Sequence, residues 1–308
     1  MKNTKNKLRT ITMTDDFLRH YLSNTPEFLK PLNLTSIEGW QNKKIVENYE
    51  PLIALNGYDK HTHKITQLHK RILAKPAYFE QNSTYGNIPD ALPIMYVRAS
   101  LIDLLLKYID QLPNNYGLII YDGYRPFSVQ ESIYNSLFNE EKLKFPNLTD
   151  KEIQDKIKNL VLPPKKSPTS PPQHNTGGSV DFYIYNLTTG KILDIGCEFD
   201  DFREIAHINY FQSKYNLGEQ LTDEDLKIML NRNVMGNIST FVGFSLYPDE
   251  IWHLNYGTQT DSNKESAIYG SVKLSHMLLN PNNNIATYIC QNKELSNHIK
   301  YLDLEVIR

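Results

Sequence analysis

The segment 171–181, Pro-Pro-Gln-His-Asn-Thr-Gly-Gly-Ser-Val-Asp, constrains this chain more than any other. His174 and Asp181 flank a Gly177-Gly178 pair. Glycine accepts backbone angles closed to other residues, so the chain can turn sharply there. From Val180 the text reads Val-Asp-Phe-Tyr-Ile-Tyr, the composition of a β-strand. The fold must therefore join a turn to a strand start, and with them an imidazole and a carboxylate. Both are good zinc ligands. Downstream, Glu250-Ile251-Trp252-His253 offers a second imidazole and a further carboxylate. Together these residues suggest a two-histidine, one-aspartate metal site with a general base beside it. Singly, each pair is weak, because a histidine hydrogen-bonded beside a turn is commonplace. On a strand, positions three apart face opposite sides. Glu250 and His253 can thus share an ion only if Glu250 reaches in from the Pro248-Asp249 turn. The signal lies in the joint occurrence, with Arg125 added on a turn after a buried strand. A cation there can stabilise an oxyanion.

The periodicity predicts helices over 15–29, 36–46, 98–112, 127–138 and 222–235, with a further short helix from the Thr149-Asp150-Lys151-Glu152 capping box to about Leu160. Strands are expected at 52–55, 95–97, 116–121, 180–185, 241–246 and 251–256, and 191–195 reads as a hairpin return. The Pro/Ser/Lys-rich stretch 163–172 is expected at the rim of the site. Helices first, then strands mixed with helices through hairpin-like links, imply an α+β fold with a mainly antiparallel central sheet flanked by helices. Residues 1–50 are expected as a helical extension packed on the core, 51–272 as the catalytic domain and 273–308 as a C-terminal extension.

With 40% hydrophobic and 22% charged residues among 308, a packed core is expected. A net charge of −2 without basic runs argues against nucleic acid as a partner. Cys197 and Cys290 are too few for a disulfide framework. No GxGxxG or Walker pattern supports nucleotide binding. No apolar stretch is long enough to cross a bilayer. The basic N-terminal nine residues lack a following apolar region, so a cytoplasmic protein without a membrane partner is expected. The sequence is silent on oligomeric state. Of the other histidines, His61, His63 and His69 read as a solvated loop, and His207 as an outer neighbour of the site or a surface residue. His20, His276 and His298 carry no assigned role.

Three motifs sharpen the reading: Tyr121-Asp122-Gly123-Tyr124-Arg125-Pro126, His174-x-x-Gly177-Gly178-x-Val180-Asp181 and Glu250-x-Trp252-His253. They resemble those of the D-alanyl-D-alanine dipeptidases, which include the vancomycin-resistance dipeptidases of the LAS zinc metallopeptidase group. Asp194-Ile195-Gly196, the run 198–202, Tyr256-Gly257 and Ala267-Ile268-Tyr269-Gly270 follow in family order, so the likeness covers roughly 51–272. The resemblance implies one zinc ion per chain held by His174, Asp181 and His253. It implies Glu250 as catalytic base and Arg125 as the residue stabilising the transition state. Asp200 falls on the family's aspartate that pairs with the free α-amino group of a dipeptide. Pro172 and Gln173 stand where the family has substrate-binding serines, which makes Gln173 a candidate substrate contact. Ile251 replaces the first tryptophan of the family's Glu-Trp-Trp-His. The implied reaction is zinc-dependent hydrolysis of a small dipeptide such as D-Ala-D-Ala. The alternatives are a D,D-carboxypeptidase or endopeptidase trimming longer muropeptides, and a zinc-bearing binding protein without turnover.

Overall fold

The computed structural model describes residues 2–59, 64–79, 88–158, 161, 163–164 and 169–272. The histidines at 61, 63, 276 and 298, Cys290 and the expected extension from 273 lie outside these. Among the described residues the helices are α1 (Lys2–Thr14), α2 (Asp16–Asn24), α3 (Ala99–Asp110), α4 (Phe127–Lys144), α5 (Asp150–Ile157), α6 (Tyr210–Asn216) and α7 (Asp223–Val242). The strands are β1 (Leu52–Ala54), β2 (Asn56–Asp59), β3 (Lys64–Gln67), β4 (Ile72–Ala74), β5 (Tyr96–Arg98), β6 (Tyr116–Asp122), β7 (Ser179–Asn186), β8 (Ser245–Tyr247) and β9 (Glu250–Asn255).

A five-stranded sheet of order β4-β6-β7-β9-β8 forms the centre. Only β4–β6 is parallel; the other pairs are antiparallel. The architecture is α+β. Strand β7 is central, and its Val180, Phe182 and Ile184 are at most 1% exposed. Tyr108 of α3 meets Phe182 edge-on at 5.2 Å and donates its hydroxyl to the Met235 carbonyl of α7 at 2.9 Å. Two helices are thereby fixed on that face, leaving the Asp181 face for chemistry. No helix among the described residues is long and apolar enough to cross a membrane.

The chain departs from the expected elements where backbone chemistry or tertiary pairing overrides local pattern. The helix expected over 15–29 stops at Asn24, and Pro26 restarts the chain as a 3-10 turn, Pro26–Leu29. Proline disfavours helical geometry in the residue before it. The helix expected over 36–46 is only a 3-10 turn, Trp40–Asn42, entered through Gly39 at φ 74°. Beyond it the amides of Val46 and Asn48 donate to the Ala267 and Ile268 carbonyls instead of closing a helix. The strand expected at 241–246 is shorter, because Phe241 and Val242 complete α7 and Gly243 caps it at φ 112°. The return at 191–195 makes a single bridge, Tyr185 to Ile192. The carbonyls of Asp194 and Ile195 are drawn off by Asn231 and Arg232 of α7. Asn237 of α7 likewise donates to the Phe28 and Lys30 carbonyls, docking the N-terminal turn on the same helix.

Candidate active site

Three strands carry the site on one rung. The β6–β7 register sets Asp122 opposite Asp181, and the β7–β9 register sets Asp181 opposite His253. Directly opposed residues on one face lie roughly 4.5–5.5 Å apart at Cβ. Strand pairing alone therefore gathers two carboxylates and an imidazole. His174 arrives from the 3-10 turn Gln173–Thr176, which ends on Gly177 at φ 72°. Gly178 follows against the β9 exit: a Cβ there would sit 2.7 Å from the Tyr256 carbonyl oxygen and 2.8 Å from the Tyr269 ring. Gly178→Ala should therefore cost about 1–3 kcal/mol by overpacking. The check is urea unfolding of the metal-free protein, with a lower midpoint at unchanged slope.

One donor atom each from His174, Asp181 and His253 lies within 4.8 Å of the others, all three residues being buried. His174 Nε2 stands 3.1 Å from His253 Nδ1 and 3.3 Å from Asp181 Oδ2, while His253 Nδ1 is 2.9 Å from Asp181 Oδ1. Each ring's other nitrogen is taken. His174 Nδ1 is 2.8 Å from the Gly123 carbonyl, and His253 Nε2 is 3.1 Å from Asn255 Oδ1. An oxygen acceptor there fixes the ring proton on the outer nitrogen, which turns the inner lone pair toward the centre. Two lone pairs and a carboxylate converging at these distances repel one another unless a proton or a metal ion lies among them. Two nitrogens and a carboxylate, each ring oriented by an outer hydrogen bond, fit a zinc ion with an open position. Asn255 is itself held by Ser179 and Thr258, which donate to its Oδ1 at 2.8 and 3.1 Å.

Charge follows geometry. Burial disfavours an ionised Asp181, but His174 and His253 outweigh it and hold its pKa well below the usual carboxylate range. Burial likewise opposes a charged His174, while Asp181 and Asp122 overcome it and push its pKa up. Glu250 opens β9 beside a register irregularity between Leu246 and Tyr247, with Oε2 3.6 Å from His253 Nδ1. Desolvation, reinforced by Asp181 and Asp200 against the pull of His253 and Arg125, pushes Glu250 up to about 8.

Arg125 is pinned rather than free. Its Nε donates to Asp122 Oδ2 at 2.8 Å, Nη1 to Gln130 Oε1 at 2.7 Å and Nη2 to the Tyr78 hydroxyl at 3.0 Å. Burial opposes its charge, but Asp122, Tyr78 and the site's carboxylates raise its pKa and keep it a cation. Tyr78 in turn donates to Asp200 Oδ2 at 3.1 Å. Asp200 adopts φ 58°, a left-handed conformation that aspartate tolerates better than most residues. Desolvation, then repulsion from Asp181, pushes its carboxyl up to about 7. Arg125, Tyr78, Gln130, Asp200 and Gln173 line one cleft of about 1010 Å³ with the two histidines, Asp181 and Glu250.

Against known proteins, residues 63–269 match the family described as D-ala-D-ala dipeptidase. The chain belongs to that family, and so to the metallopeptidases. Among curated relatives, it is 25% identical over 169 residues to the D-alanyl-D-alanine dipeptidase of Synechocystis sp. (strain ATCC 27184 / PCC 6803 / Kazusa), covering 50% of this chain and 68% of that protein. It is 28% identical over 138 residues to the D-alanyl-D-alanine dipeptidase of Enterococcus faecalis (strain ATCC 700802 / V583), covering 45% and 61%. That of Enterococcus faecium is 26% identical over 138 residues, again 45% and 61%. This dipeptidase-family chain thus spans roughly two thirds of its relatives' lengths.

The cleft brings together every residue singled out from the sequence motifs: His174, Asp181, His253, Glu250, Arg125, Asp200 and Gln173. His207 stays outside, half exposed and 4.0 Å from Asp249. His69 is buried in the turn before β4, its Nδ1 accepting from the Arg71 amide. Sequence reasoning assigned no role to Asp122, Asn255, Tyr78 or Gln130. Asn255 carried a usable signal, standing two positions after His253 and so on its face of the strand. Tyr78 and Gln130 carried none, since folding alone brings them to Arg125.

Proposed function

We propose that this protein is a zinc-dependent dipeptidase hydrolysing a small D,D-dipeptide, D-Ala-D-Ala or a close relative. The observation that carries the reading is the rung of Asp181 and His253, completed by His174, with the Glu250 carboxylate 3.6 Å from His253. His174 through Nε2, His253 through Nδ1 and Asp181 would hold the zinc. A zinc ion there would supply Lewis acidity, polarising the scissile carbonyl and making water more acidic. Glu250, beside His253 at the mouth of the proposed ligand set, takes the proton from the attacking water and returns it to the leaving amine. Arg125, fixed by Asp122, Gln130 and Tyr78, sets a permanent cation where charge develops on the carbonyl oxygen. Asp200 pairs with the substrate's free ammonium group. A fixed anion at a set distance from the scissile bond counts out one residue, which favours a dipeptide over a longer chain. Gln173, on the cleft wall beside His174, is the proposed substrate contact at the position of the family's serines.

The test is a hydrolysis panel run with metal analysis. Hydrolysis of D-Ala-D-Ala with one zinc per chain is expected, with weak activity on a pentapeptide ending in D-Ala-D-Ala. Equal activity on dipeptide and pentapeptide would make it a carboxypeptidase instead. Bound zinc with no turnover on any D,D- or L,D-dipeptide would make it a binding protein.

A further inference from the structure

One wall of the cleft comes from outside the family-matched region. Residues 37–41 line it together with Asp200, Arg125 and His253, yet they precede residue 63, where the match begins. The segment is firmly held. Buried Gln259 donates from Nε2 to the carbonyls of Lys43 at 2.6 Å and Thr169 at 2.9 Å, with the Gln41 carbonyl at 3.4 Å beside them. A single amide thus ties this segment to the chain leading into Pro172 and Gln173. Past the turn, the Val46 and Asn48 amides pair with the Ala267 and Ile268 carbonyls. Trp40 is held at the cleft face, half buried.

The size of the cleft gives the wall a purpose. D-Ala-D-Ala has only methyl side chains, whereas about 1010 Å³ stands at the top of the range of roughly 300–1,000 Å³ that suits drug-sized ligands. Beyond the ligand set, the cleft's lining includes apolar Ile37, Trp40, Val161, Pro163 and Pro172 alongside polar Glu38, Gln154, Asp155 and Lys158. We infer that Trp40 is a specificity-determining residue, packing against an apolar side chain larger than methyl on the C-terminal residue of the substrate. The orientation rests on the dipeptidase reading above. Asp200, taken as the ammonium anchor, sits with Tyr78 and Arg125, while Trp40 belongs to the flank tied to the approach to Pro172. The amino end of a bound dipeptide therefore lies at the first flank and its carboxyl-terminal side chain at the second. The preferred class is a D,D-dipeptide ending in an aliphatic or aromatic residue.

The experiment compares zinc-loaded wild type and Trp40→Ala on D-Ala-D-Ala and D-Ala-D-Leu. Wild type should favour D-Ala-D-Leu. Trp40→Ala should raise KM for D-Ala-D-Leu about tenfold at unchanged kcat, with D-Ala-D-Ala altered by no more than about twofold. Equal losses on both substrates would show a role in folding only, and no change on either would remove Trp40 from the substrate wall; both overturn the inference. A readout without turnover uses fluorescence, since the chain has two tryptophans and Trp252 is only 1% exposed. A phosphinate analogue of D-Ala-D-Leu should change the emission of wild type but not of Trp40→Phe. Binding by calorimetry without an emission change overturns the inference as well. Hydrolysis of both dipeptides with no Trp40 effect leaves the dipeptidase reading intact and sinks only the wall. An emission change without hydrolysis of any dipeptide does the reverse.

Discussion

Glu250→Ala should lower dipeptide turnover about 10²–10⁴-fold while leaving the protein with its full zinc content. The expectation rests on a difference between two carboxylates only a few ångströms from the same imidazole. Asp181 lies within 2.9 Å of His253 Nδ1 and 3.3 Å of His174 Nε2, and both rings hold its pKa well below the usual carboxylate range. It is committed to the anionic form, as a ligand must be. Glu250 stands farther off, at 3.6 Å from His253 Nδ1, and is pushed up to about 8. A carboxylate standing off the imidazole in this way is free to pass a proton, which a tightly paired ligand is not. Removing it should spare the metal and abolish the proton transfer, so kcat falls and the zinc stoichiometry measured by emission spectrometry does not. Loss of zinc together with activity would make Glu250 a ligand and overturn the division of labour proposed for the two acids.

The sequence carried the proposed ligands because ligand chemistry is local. His174 and Asp181 flank a turn that only glycine can make tightly, and Glu250 and His253 flank the first residues of a strand. The ring of groups that orients them was not legible in the same way. Asp122 faces Asp181 because the β6–β7 register shifts by one residue between Ile120 and Asp122, an irregularity that no local pattern announces. Tyr78 reaches Arg125 across 47 positions of chain and Asp200 across 122. No periodicity announces such a contact. The N-terminal wall was hidden for the opposite reason. Residues 36–46 have a plausible helical pattern, but Gly39 and the pairing of 46–48 with 267–268 turn them into a rim segment. Local propensity was outweighed there by backbone hydrogen bonds that exist only after the rest of the domain has formed. The overall class was readable because helices lead the chain and strands then follow through hairpin-like links, a pattern that favours a mainly antiparallel sheet, and the parallel pair of the central sheet, β4 with β6, is carried by a three-residue edge strand.

Asp200→Asn should reduce kcat/KM on free dipeptides by about 10²-fold, the cost of leaving a buried ammonium without its counter-charge. N-acetylated dipeptides, which carry no ammonium, should be nearly unaffected. The ratio of the two therefore isolates the residue from any general damage to the site, because both substrates use the same zinc, Glu250 and Arg125. Acidity adds a second signature. Desolvation and the neighbouring Asp181 push Asp200 up to about 7, with Arg125 and the Tyr78 hydroxyl opposing them. Below that pH the carboxyl is neutral and loses its attraction for an ammonium. Above about 8 the substrate's own α-amino group sheds its proton. The free-to-acetylated ratio in wild type should therefore peak between these limits and fall about tenfold per pH unit on the acid side. In Asp200→Asn the same ratio should be low and flat on that side. A wild-type ratio indifferent to pH from 5 to 7, or equal losses on free and acetylated substrates in the variant, would place the ammonium elsewhere and leave Asp200 as a structural partner of Tyr78.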